Sequence, residues 1–175
     1  MPIFFDLETQ NTFQEAGGHY PERLRISVAV TYDTADGAFH RYTEADAAEL
    51  ALDLSQGDLV VGYNLFGFDY PVLQKYAEGV VLADLPTVDM MVELQKQLGF
   101  RLKLDAIATA TLKVGKSADG LQAVRWWREG RVDEIFDYCQ QDVEVTRRVY
   151  EFGKQYRYVQ YYDRQYRIQR VSALW

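Results

Sequence analysis

The chain has 175 residues, 48% of them hydrophobic and 26% charged, a size and composition suited to one ordinary globular domain that can bury a core unaided. Its single cysteine, Cys139, excludes an internal disulfide, and two histidines, His19 and His40, leave a Cys/His zinc site unsupported. The net charge of −7 opposes a purely electrostatic hold on a polyanion, yet it is uneven, with −11 in residues 1–89 and +4 in residues 90–175. No stretch reaches the roughly 20 apolar residues needed to span a bilayer, and the opening MPIFFDLET lacks the basic-then-apolar layout of an export signal. The expectation is a cytoplasmic protein without membrane contact.

No repeat or low-complexity linker divides the sequence, so 1–175 reads as one domain with a C-terminal extension after Gly153. Strands are predicted at 3–8 and 25–32, with a third at 39–42 across the Asp36-Gly37 turn. Thr43, with Asp46 three residues on, signals a helix start, and Ala47, Leu50, Ala51 and Leu54 recur at helical spacing before Gly57. A short buried strand follows at 59–62. Asp69 as N-cap and Pro71 in the first turn predict a helix to about Glu78, and a short strand follows at 87–89. Helices are predicted at 90–98, 104–112 and 121–129, punctuated by Gly99, Gly115 and Gly130, and a long one at 132–152. Strands first and alternating helices later predict an α/β fold with a mixed sheet flanked by helices.

Three segments carry chemistry. Asp6 and Glu8 end the first strand, and a side-chain period of two points both carboxylates from one face. Such a pair needs a metal, a basic partner or solvent, unless it is simply an exposed strand end. Tyr138 and Asp142 are four residues apart and share a helix face beside the apolar stripe of Ile135, Cys139, Val143, Thr146 and Tyr150. A surface aspartate next to a half-buried tyrosine is the plainer alternative. The third segment, Asn64 to Asp69, could be only a turn, an N-cap and a core Phe68.

Taken together, Asp6-Leu7-Glu8, Asn64-Leu65-Phe66-Gly67-Phe68-Asp69 and Tyr138-Cys139-Gln140-Gln141-Asp142 resemble, in order, the motifs of the DEDD superfamily of 3′–5′ exonucleases. Tyrosine at 138 matches the DEDDy version, found in polymerase proofreading domains and ribonuclease D; Asp137 stands where the other branch would place its histidine. Residues 102–150, with Leu-Lys-Leu-Asp-Ala-Ile-Ala and a loop at Lys116, look closest to B-family proofreading domains and their stand-alone bacterial relatives. The resemblance covers roughly residues 3–152 and implies a ribonuclease H-like fold.

It also implies a catalytic set of Asp6, Glu8, Asp69, Tyr138 and Asp142, with Asn64 and Phe68 approaching the 3′-terminal nucleotides. Hard carboxylate ligands suit Mg²⁺ or Mn²⁺, and the resemblance implies two such ions. By the resemblance Asp6 would bridge them, Glu8 and Asp142 would complete one site, and Asp69 would hold the second largely through water. Tyr138, a phenol that stays protonated near neutrality, would orient the attacking water. The implied substrate is single-stranded nucleic acid, DNA ahead of RNA; a module without catalysis is the alternative of another class. Lys103, Lys113, Lys116, Arg125 and Arg128 are candidate phosphate contacts, none of them assigned as a site. The tail interleaves Tyr156, Tyr158, Tyr161, Tyr162 and Tyr166 with Arg157, Arg164, Arg167 and Arg170. It reads either as a platform for stacked bases or as a hairpin, turning near 163–166, whose tyrosines pack on the domain.

Overall fold

The computed structural model describes residues 1–115 and 120–175, so the expected Lys116 loop lies outside the described residues. A five-stranded mixed sheet forms the centre, built from β1 (Pro2–Thr9), β2 (Ile26–Asp33), β3 (Ala38–Thr43), β4 (Leu59–Gly62) and β5 (Thr87–Asp89) in the order β3-β2-β1-β4-β5. β1 runs antiparallel to β2 and parallel to β4, which makes it the hinge between an antiparallel meander and a parallel edge. The predicted strand pattern and the mixed sheet are both present.

The period of two along β1 sorts its side chains into two layers. Ile3, Phe5 and Leu7 face a core shared with Leu50, Leu54, Tyr70 and Leu73. These partners come from α1 (Ala47–Gln56) and α2 (Asp69–Leu73). Phe4 faces the opposite core with Leu94, Ile107, Ala123, Ile135 and Val143. That layer is α3 (Met90–Leu98), α4 (Leu104–Leu112), α5 (Gly120–Arg128) and α6 (Val132–Tyr156). Phe4, Phe5 and Leu7 are almost wholly buried, each contributing roughly 1.5–3 kcal/mol from removal of its apolar surface. By the same alternation Asp6 and Glu8 fall on Phe4's face, toward α5 and α6.

Three boundaries differ from the sequence expectation. Asp69 is the first residue of α2 and not its N-cap, because its carboxylate accepts the Leu7 N–H instead. α2 ends at Leu73 and continues only as a 3₁₀ turn at Gln74–Tyr76, where the Gln74 side chain bonds Val80 O and Leu82 N and draws the chain onward. α4 spans Leu104–Leu112 as expected, but its cap is Lys113, in the left-handed region at φ 60°, so Gly115 has no part in it. Gly153 lies inside α6, which continues to Tyr156; a Cβ on it would meet the Trp175 ring at 2.5 Å. That glycine serves a close approach and does not stop the helix. Beyond α6, β6 (Tyr158–Tyr162) and β7 (Ile168–Ser172) form a separate hairpin turning at 163–167.

Candidate active site

β1 extends past the end of β4, since their pairing stops at Phe4 and Val61. Leu7 therefore has a backbone N–H on that side with no strand to receive it, and Asp69 Oδ1 accepts it at 3.1 Å. The bond fixes the start of α2 against the acidic end of β1. A bulge at Glu8/Thr9, opposite Ile26 and Val28, ends the regular pairing there.

Asn64 sits at φ 71°, a left-handed conformation that asparagine tolerates, and its carbonyl accepts the N–H groups of Gly67 and Phe68. A Cβ at Gly67 would lie 2.4 Å from Asn64 Oδ1, so any other residue there would push the Asn64 side chain from its place. The loop is also clamped by Asp89, which is 2% exposed. Its carboxylate accepts the N–H groups of Asn64 (2.8 Å) and Phe66 (3.1 Å) while capping α3 at Met91 and Val92. Sequence reasoning missed Asp89; its signal was an acidic residue placed immediately before a helix.

From α6, Tyr138 and Asp142 face the same cleft region, one turn apart as their spacing predicts. One oxygen each from Asp6, Glu8 and Asp142 lie within 4.8 Å of one another. Asp69 is not in this triad, but its charge acts on Asp6 and Glu8. Burial is the main cause raising the carboxyls of Asp6, Glu8 and Asp69 well above their ordinary range, and their mutual repulsion, with that of Asp142, adds to it. Tyr138 is pushed upward by burial, then by Glu8, Asp142 and Asp6, and it is hydrogen-bonded to Asp142. Its phenol therefore stays protonated. Cys139, fully buried, directs its thiol toward the Asp6 carbonyl (3.3 Å) and Asp6 Oδ2 (3.5 Å).

A cleft of about 590 Å³ opens over this cluster, lined by Asp6, Glu8, Asn64, Phe68, Asp69 and Tyr138, with Phe13 and Lys103. Phe68 packs edge-on against Phe13 with ring centroids 6.0 Å apart and also touches the α1/α2 core, so it is both wall and packing. Asn64 Oδ1 accepts a bond from Arg101 at 2.5 Å. Of the candidate phosphate contacts, Lys103 alone lines this cleft among the described residues. Arg128 is tied to Glu15 at 2.8 Å, Arg125 lies in a neighbouring groove, and the Lys113 ammonium donates to Ala110 O.

The donor set fits a divalent cation. Its ligand atoms are hard oxygens, they converge from two elements, and the charges acting on them most strongly are one another's. Fold and site together define a class: an α/β domain whose first strand, parallel to one neighbour and antiparallel to the other, delivers a carboxylate cluster to a cleft closed by a late helix. The sequence matches the RNase_H superfamily over residues 3–152, and the chain belongs to that superfamily. No curated protein matches it. Among solved structures it is similar to one titled Exonuclease I (apo), at 14% identity and a TM-score of 0.48, covering 88% of this chain and 42% of that one. The chain thus spans less than half of that structure's length. No helix among the described residues is long and apolar enough to cross a membrane.

Proposed function

We propose that this chain is a metal-dependent 3′–5′ exonuclease of the DEDDy type, cutting single-stranded nucleic acid, DNA in preference to RNA, and working as one unit over residues 1–175. The observation that carries the reading is the convergence of Asp6, Glu8 and Asp142 beside a protonated Tyr138 in an open cleft, within an RNase_H superfamily fold. Two Mg²⁺ or Mn²⁺ ions held by Asp6, Glu8, Asp69 and Asp142 would supply charge neutralisation at the scissile phosphate and activation of water.

The protein's own groups account for the rest. Asp6 and Glu8 are held by a strand anchored in both cores, so their separation is set before substrate arrives. Tyr138 keeps its proton, engaged by Asp142, and its oxygen can accept a hydrogen bond that orients a water without acting as the base. Asn64 and Phe68 stand at the cleft wall where a terminal nucleotide would enter, Phe68 offering an aromatic face and Lys103 a cation for the phosphate.

Time-resolved digestion of a 5′-labelled DNA strand with Mn²⁺, beside an Asp6→Ala control, tests the reading. A ladder shortening from the 3′ end in wild type alone is expected. Matched RNA cut faster would reassign the substrate, and intact DNA and RNA under wild type would leave a binding module without catalysis.

A further inference from the structure

We propose that the β6–β7 hairpin is a second, non-catalytic holding site for single-stranded nucleic acid, which keeps the strand attached upstream of the cleft. The match to the superfamily ends at residue 152, so the hairpin stands outside it. The chain's net positive charge also collects at this end: residues 1–89 carry a net −11, residues 90–152 a net zero, and residues 153–175 a net +4, of which the hairpin itself, 158–172, holds +2 and Lys154 and Arg157 at its base the rest.

The hairpin's two faces differ. Val159 and Val171 pair across it and are buried against the domain, and Tyr161 and Gln169 follow on that side, half-buried. The expected hairpin is present, but its anchors are these two valines, and of the tail's tyrosines it is Tyr161 that packs on the domain core. The opposite face presents Tyr158, Tyr162, Ile168 and Arg170, with Tyr162 39% and Ile168 48% exposed. Arg170 lies 4.3 Å over the Tyr158 ring and Lys113 lies 5.9 Å from the Tyr162 ring. Alternating aromatic surface and cations is what stacked bases and their phosphates require together. The hairpin's one acid, Asp163, does not oppose a polyanion, because its carboxylate is bound in the turn by Gln165, Arg167 and Gln169. Charge complementarity therefore selects nucleic acid as the occupant.

Position agrees with that role. Lys103 lines the cleft just before α4, and Thr111 near the far end of that helix exchanges hydrogen bonds with the Gln160 backbone at 2.8 and 3.1 Å. Eight helical residues separate them, about 12 Å at ~1.5 Å per residue. A stacked strand at ~3.4 Å per nucleotide covers that in about 4 nucleotides. The proposal rests on the nucleic-acid reading of the cleft but not on its catalysis.

Truncation at Gly153 would strip Val159, Val171 and Trp175 from the core, so surface substitutions are the proper probe. Arg164→Gln with Arg170→Gln, and separately Tyr162→Ala, are compared with wild type by fluorescence anisotropy in EDTA. Unneutralised carboxylates then repel a strand from the cleft. For an oligo-dT of about 20 nucleotides, each variant is expected to bind roughly tenfold more weakly. The arginine variant should also lower the log–log salt slope by about 1.4, or about 0.7 per lost contact. Arg→Lys at both positions should restore binding. With Mn²⁺, cleavage of an oligonucleotide of about 2 nucleotides, too short to reach the hairpin, should be unchanged in every variant. Wild type that does not bind the longer strand, or variants that bind it equally well, would overturn the proposal. Binding that behaves as expected without cleavage by wild type would instead defeat the exonuclease reading alone.

Discussion

Asp6→Asn should make the metal-free protein more stable while removing its response to metal. In the wild type, Asp6 is enclosed with Glu8, Asp69 and Asp142, and burial and repulsion raise its carboxyl and those of Glu8 and Asp69. A carboxyl titrating one pH unit above its ordinary value weakens the fold by ~1.4 kcal/mol at neutral pH. Asparagine keeps the acceptor that meets the Cys139 thiol and adds an N–H donor toward the remaining carboxylates, so relief of about 1–2 kcal/mol is the scale expected. For a domain of this length that is a rise of roughly 2–8 °C in melting temperature. Metal acts oppositely: at a hundred times its dissociation constant, bound ion stabilises wild type by ~2.7 kcal/mol. Thermal melts of both proteins in EDTA and in saturating Mn²⁺ should therefore cross, with Asn higher in EDTA and wild type higher with metal. An Asn variant that melts below wild type in EDTA, or gains as much from Mn²⁺, would refute the reasoning.

Tyr138→Phe removes the phenolic hydroxyl at a site with no ligand oxygen to lose, so cleavage should fall about 10- to 100-fold while the Mn²⁺-induced rise in melting temperature persists; unchanged cleavage would take Tyr138 out of the mechanism. Asp89→Ala strands the N–H groups of Asn64 and Phe66 and uncaps α3, so denaturant titration should show a loss of about 2–4 kcal/mol. Because the carboxyls of Asp6, Glu8 and Asp69 are raised on folding, their contribution is most favourable at low pH and is lost as pH rises through the folded values. Melts in EDTA should therefore decline from pH 5 to pH 8, and saturating metal should flatten or reverse that trend. Glu44, lowered chiefly by its hydrogen bond from Arg25, contributes with the opposite sign, through stability lost as pH falls below the ordinary carboxylate range, outside that window.

The sheet was readable because β1, β2 and β4 are short apolar runs rich in β-branched and aromatic residues, buried on both faces and bounded by polar turns. The cluster was readable from periodicity: Asp6 and Glu8 share a face by the strand period, and Tyr138 and Asp142 by the helix period. Errors arose where one residue type has two uses. Gly153 was read as punctuation, but the Trp175 ring against it explains the glycine, and nothing local to the helix announces a tryptophan 22 residues later. Asp69 was read as a cap because aspartate before a proline-containing turn usually is one; its partner, the Leu7 N–H, is 62 residues away. Asp89 went unremarked because the loop it clamps is distant in sequence, and only folding shows one carboxylate serving both that loop and its own helix.

The arrangement around β1 explains why the acids lie where they do. A strand shared by both cores is the most constrained element of this fold, and its C-terminal end, beyond the reach of β4, is the one place where its backbone is left unpaired on one side. Asp69 fills that opening, so the carboxylate nearest the strand's free edge is a structural bond in the folded protein as well as a charge in the cleft. Asp69→Asn therefore separates two effects that Asp6→Asn does not. It should relieve repulsion, yet weaken a charge-assisted bond worth about 1.5–3 kcal/mol. The two nearly cancel in EDTA, so the variant should melt within a few degrees of wild type while responding less to metal. A large loss of stability would show that the bond to Leu7 dominates, and a large gain would show that Asp69 belongs to the repulsive cluster first.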